Sequence, residues 1–203
     1  ASLERYSSAW RSFSGLRDVT ELESSIRRLN QDPEIRRSRS VEKDVETRQK
    51  ATDRELIGLY QDLIEGTERQ LASQKLSARL DRLRNDAAQT KNEISRLAAA
   101  RSLTLCWIML NEESSAALER REYGQAALRL ELMARIRPEN AQIYYHLTRV
   151  YSMGGRKKEA MASLRNAVAR GFKDFALLES SPDLESLRNM PEFQKIIEDL
   201  KRR

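Results

Sequence analysis

The stretch Glu122-Tyr-Gly-Gln-Ala-Ala-Leu-Arg-Leu-Glu-Leu-Met-Ala-Arg-Ile-Arg-Pro138 has a counterpart 34 residues later, Arg156-Lys-Lys-Glu-Ala-Met-Ala-Ser-Leu-Arg-Asn-Ala-Val-Ala-Arg-Gly-Phe172. Ala126 falls on Ala160, Leu130 on Leu164, Met133 on Ala167 and Pro138 on Phe172. A period of this length means a repeated supersecondary unit that buries its apolar face on its neighbours. Small residues let two antiparallel helices approach, and large ones fill the groove opposite.

A first helix precedes each stretch. In the fuller unit it starts near Ala141 and carries Tyr144, Leu147, Thr148 and Tyr151, followed by Gly154-Gly155 at the turn. The earlier unit has Leu110, Ser114, Tyr123, Ala126, Leu130 and Pro138, but Glu113 stands in place of Leu and Ala117 in place of Tyr. These positions resemble the tetratricopeptide repeat family, and the resemblance spans about residues 103–203. The departures at Glu113 and Ala117 mean that the helix near Leu103–Glu119 packs on something outside that pattern; Leu105 and Trp107 suit contact with the N-terminal half. The tail from Gly171 resembles a block that closes such arrays in bacterial proteins. Short helices are predicted at Asp174–Leu178, Pro182–Arg188 and Pro191–Lys201, with Ser181 and Asn189 as caps of the last two.

Residues 1–102 read as a separate helical region. Val19, Leu22, Ile26 and Leu29 step by helical intervals. Asp32 before Pro33 predicts a helix start, and that helix runs to about residue 65. Leu76, Leu80, Leu83, Ala87, Thr90, Ile94, Leu97 and Arg101 alternate steps of four and three. This fits either a coiled-coil-like seam in a long hairpin of residues 33–65 and 68–105, or an amphipathic helix in a bundle. The fold class is all-α: an N-terminal helical hairpin or coiled-coil-like region over residues 1–102, then a tetratricopeptide-like helix-turn-helix solenoid over residues 103–203.

Composition limits the chemistry. One Cys in 203 residues excludes an internal disulfide framework and a thiolate zinc cluster, and one His argues against a His-based metal site or a Ser-His-Asp triad. Cys106 sits in the most apolar stretch, Leu-Thr-Leu-Cys-Trp-Ile-Met-Leu, and reads as a buried structural thiol. His146 has no second His to share a metal with. Glu112 and Glu113 are adjacent and point to different sides of a helix. No apolar run is long enough to span a membrane. The net charge of +6 spreads over interleaved acids and bases, weak for nucleic-acid binding. Arg27, Arg28, Arg36, Arg37 and Arg39 are the residues such binding would use.

The expectation is therefore a non-enzymatic interaction or scaffolding module with no cofactor and no metal. The resemblance implies that a protein or peptide partner docks in a groove lined by first-helix residues: Ile108, Asn111 and Ser115 from one unit, Gln142, Tyr145, Arg149 and Ser152 from the next. The leucine seam gives a second candidate partner, a further copy of the chain. The alternatives are a nucleic-acid-associated basic helical protein, or an accessory domain of a larger membrane-anchored or periplasmic protein. The start, ASLERYSSAW, has no secretory apolar core, but a removed signal peptide leaves no trace; the compartment is unknown, with a bacterial cytoplasm or periplasm both open.

Overall fold

The computed structural model describes residues 2–13, 15 and 20–202. The chain is all-α, and the described residues contain no strand. Among the described residues ten α-helices and one 3-10 helix follow in order: α1 (Ser2–Phe13), α2 (Thr20–Gln31), α3 (Pro33–Glu65), α4 (Arg69–Gln89), α5 (Glu93–Glu119), α6 (Tyr123–Ile136), α7 (Ala141–Met153), α8 (Lys157–Ala169), α9 (Phe175–Ser180), the 3-10 helix Pro182–Leu187 and α10 (Pro191–Lys201). Val19, part of the predicted first seam, lies outside the described residues.

Asp32 starts α3 as its residue type requires. Its carboxylate accepts from the Glu34 and Ile35 amides at 2.8 and 3.3 Å, and Pro33 occupies the first helical position, where no donor is missed. The polar middle of α3 is still a packed one: Val45 is fully buried and Thr52 takes a core position by donating its hydroxyl to the Arg48 carbonyl at 3.0 Å. Gly66 ends the helix, where a Cβ would lie 2.3 Å from the Asp62 carbonyl oxygen.

The leucine seam does not run on as one helix. α4 stops at Gln89, and Asn92 starts α5 by accepting from the Ser95 amide at 2.9 Å. Thr and Asn side chains compete with the helix for backbone bonds, so Thr90-Lys-Asn92 turns the chain although the apolar spacing continues through it. Leu76, Leu80 and Leu83 lie in the core of this chain, and Arg101 is exposed. The predicted hairpin partner at 68–105 is thus two helices. α3 and α4 run antiparallel, with Arg79 on Glu55 at 2.8 Å. α5 returns parallel to α3, with Arg101 on Glu42 at 2.9 Å. Residues 102 and 103, the expected domain boundary, lie inside α5, and a single apolar cluster continues from Leu56 to Leu200.

From residue 107 onward the helices recur. α6, α8 and α10 start 34 residues apart, as do α7 and α9, whereas α5 starts earlier, at Glu93, and only its part from residue 107 on lies one period before α7; the three pairs are α5 with α6, α7 with α8, and α9 plus the 3-10 helix with α10. The tail is thus a third unit in register. Its first helix is broken because Pro182 lacks an amide and forces Ser181 out of the helical region, to φ −64° and ψ 120°. Ser181 precedes the 3-10 helix without a side-chain cap, and Met190 rather than Asn189 precedes α10.

The two inter-helix turns also match. Glu122 N–H reaches the Ala117 carbonyl and Arg156 N–H the Tyr151 carbonyl, both at 2.8 Å. The left-handed position is Arg121 (φ 59°) in the first turn and Gly155 (φ 73°) in the second. Arg121→Gly should therefore stabilise the chain by about 1 kcal/mol, and Gly155→Ala should cost about 1 kcal/mol. Urea unfolding followed by circular dichroism measures both; equal effects of the same sign would contradict the matched turns.

Candidate partner-binding surface

The seven groove residues divide into two groups. On α5, Ile108 is 48% exposed and Asn111 and Ser115 are exposed beside it, one and two turns along the same face. Leu105, expected to contact the N-terminal half, is also outward, at 47%. Trp107 instead sits under the Arg137 guanidinium, 4.3 Å from its ring centre, and so contacts the loop between the first two repeat units.

On α7 the situation differs. Gln142 is exposed at the start of the helix, where Asn140 caps its amide at 3.0 Å. Tyr145 and Ser152 are buried. Tyr145 stacks on Phe172 at 4.8 Å. Arg149 donates to Asp183 at 2.7 Å, and Ser152 and Ser186 share a hydrogen bond of 2.8 Å. Both contacts join residues 34 positions apart, so the 3-10 helix lies beside α7 in the same register. The α7 part of the groove is filled by the chain's own third unit. α7 makes its main contacts with α6, α8 and that 3-10 helix. Asp183, Ser186 and Phe172 were absent from the predicted groove; the 34-residue period points to the first two from Arg149 and Ser152.

A half-buried charge cluster explains Glu113. Its carboxylate receives Arg129 Nε at 3.0 Å and the Tyr60 hydroxyl of α3. Arg129, 7% exposed, also donates to the Gln125 side chain at 2.8 Å and lies 5.8 Å from the Tyr60 ring centre. Tyr60 is therefore the contact outside the repeat pattern. Burial, then the bond to Glu113, raises the Tyr60 hydroxyl well above its ordinary pKa. Tyr151, bonded to Glu131, is raised by the same two causes. Cys106 is buried, and burial followed by the nearby Asp53 and Glu113 charges pushes its thiol up to about 11, so it stays a thiol at neutral pH. Among the described residues no group of three His, Cys, Asp or Glu side chains is placed to hold a metal. Nor is any helix long and apolar enough to cross a membrane. Of the five arginines considered for nucleic acid, Arg36 donates to the Gln31 carbonyl and Arg39 to Asn30.

Residues 107–203, just under half the chain, match the model of a family described as A/B hydrolase-like, N-terminal domain. The match starts inside α5, 34 residues before the start of α7. Its description differs from the tetratricopeptide resemblance, which covers nearly the same residues. No curated protein and no solved structure matches the chain.

Two predictions follow from the cluster chemistry. Glu113→Leu leaves the Arg129 charge buried and unpaired and should cost about 3 kcal/mol, whereas Glu113→Leu combined with Arg129→Leu should recover most of that loss; denaturant midpoints of the three proteins decide it. A tyrosine whose pKa is raised by folding stabilises the fold fully below its unfolded pKa, near 10, and that contribution fades as pH rises further. Stability should fall above pH 10, and more gently in Tyr60→Phe with Tyr151→Phe, as read from urea midpoints across that range.

Proposed function

We propose that the chain is a non-enzymatic interaction module of tetratricopeptide-like build. The observation that carries this reading is the recurrence of three helix pairs at 34 residues, each burying its apolar face on the next. Arrays of this kind present extended surfaces rather than enclosed reaction sites. The partner-contact surface is the outer face of α5, from Leu105 and Ile108 to Asn111 and Ser115. Two adjacent half-exposed aliphatic side chains beside a polar margin suit a protein partner's apolar side chains.

The family match favours a second reading. Its description as the N-terminal domain of A/B hydrolase-like proteins fits an accessory helical module that accompanies a hydrolase-like domain, with any reaction carried elsewhere. The surface on α5 then serves that domain, and the two readings differ in the partner rather than in the face used.

Placing a photo-crosslinking residue at Ile108, with Lys158 of α8 as an exposed control, tests both. Adducts from position 108 alone are the expected outcome in cells producing the protein. A hydrolase-like domain in the adduct selects the second reading. Equal labelling at both positions, or none at 108, defeats the α5 surface.

A further inference from the structure

We infer that a cleft between α4, α6, α7 and α8 binds a small zwitterion of dipeptide size, its ammonium at Glu131 and its carboxylate at Arg135. This inference is independent of the α5 surface.

The cleft has a volume of about 370 Å³. α7 packs on both α6 and α8. Leu147 of α7 and Leu132 of α6 line the cleft and are buried. Ser73 and Ser77 enter it from α4, and Ser163 from α8. Ser163 is only 6% exposed, yet among the described residues its hydroxyl has no hydrogen-bond partner. The Ser73 and Ser77 hydroxyls are in the same state. A buried hydroxyl left unpaired is costly, and a polar occupant of the cleft removes that cost. One period earlier, α6 has Arg129 at the position of Ser163, and that long side chain is also buried. A serine at 163 leaves open the room that an arginine takes at 129.

The charges at the rim select the occupant. Glu131 and Arg135 also line the cleft, one turn apart on the same face of α6, and both are exposed. A glutamate four residues before an arginine is well placed for an ion pair, but these two do not pair. Glu131 takes the Tyr151 hydroxyl on one carboxylate oxygen, which leaves Oε2 free. Arg135 reaches Asp81 at 3.4 Å, and Asp81 is shared with Arg84 at 3.2 Å. The five donors of a guanidinium are far from exhausted by one long contact. The cleft therefore offers a negative end and a positive end, held apart by their own neighbours.

Spacing sets the size of the ligand. Four residues along a helix rise about 6 Å. An extended two-residue peptide spans about 7 Å, and a single amino acid about half of that. Between the charged ends, the peptide group meets the serine hydroxyls, which both donate and accept. Leu128, Leu132 and Leu147 receive an aliphatic side chain.

Titration of the 15N-labelled full chain with the dipeptide alanyl-leucine, followed by amide chemical shifts, tests the site. Saturable shifts at Ser73, Ser77 and Ser163 are expected, with a Kd of about 1 mM or tighter. N-acetyl-alanyl-leucine, alanyl-leucine amide and free leucine should each bind at least roughly tenfold more weakly, because each lacks one end or the span between them. Arg135→Gln, at an exposed position, should weaken the dipeptide to a similar degree. Ser163→Leu should abolish binding by filling the cleft, and circular dichroism confirms that both variants keep their helix content. The inference is overturned by an absence of saturable shifts up to about 10 mM, by shifts confined to other residues, or by equal affinity for either capped peptide. Binding that neither variant changes overturns it as well.

Discussion

Glu113, Arg129 and Tyr60 join three helices that the repeat pattern alone would leave loosely fitted. Glu113 occupies the position that Leu147 fills one period later, and Ala117 the position of Tyr151. With a short side chain at 117 and a charged one at 113, the α5–α6 pair lacks the apolar bulk that holds α7 against α8. The missing contact comes from α3, whose Tyr60 donates to Glu113 while Arg129 supplies the counter-charge. Breaking one member of a buried pair costs far more than replacing the pair as a whole. The cluster therefore works as a register lock between the N-terminal bundle and the repeats, and it makes α5 a member of both.

The far end of the array is resolved differently. The outer face of α10 is polar, while Phe193, Ile197 and Leu200 turn inward. Pro182 shortens the first helix of that unit to a 3-10 turn, which still brings Asp183 and Ser186 level with Arg149 and Ser152. The period thus persists in the side-chain contacts after the regular helix has gone.

Much of this was legible in the residues. Asp32-Pro33 marks the start of α3 to the residue, because capping is a local effect carried by one side chain. The 34-residue recurrence, the turn at Gly154-Gly155 and the buried state of Cys106 were equally readable. The break at Thr90 was hidden, since Leu76 to Leu97 keep helical spacing on both sides of the turn and periodicity does not report the direction of the chain. The third unit was hidden by Pro182, which reads as a stop. Arg121 carries a left-handed turn without a glycine to announce it. In the groove, Ile108, Asn111 and Ser115 were placed on an outer face by the resemblance to the repeat family, whereas the covering of Tyr145 and Ser152 depends on where the tail folds back, a long-range fact that the repeat pattern does not contain.

That fold-back bears on what the α7 side of the array can bind. An acidic partner seeking Arg149 meets Asp183 already in place at 2.7 Å. Asp183 is on the same chain and is held by the packing of Leu184 and Leu187, both fully buried. A tethered group of this kind competes at an effective concentration in the millimolar range or above. A free carboxylate at micromolar concentration must add several kcal/mol of other contacts to displace it, yet Tyr145 and Ser152 are themselves engaged with Phe172 and Ser186. On α5, Ile108 is 48% exposed among the described residues, and a partner at that exposed part displaces water rather than a tethered group. The physics of recognition thus favours the first unit of the array over the second, opposite to the ranking that the strength of the repeat pattern suggests.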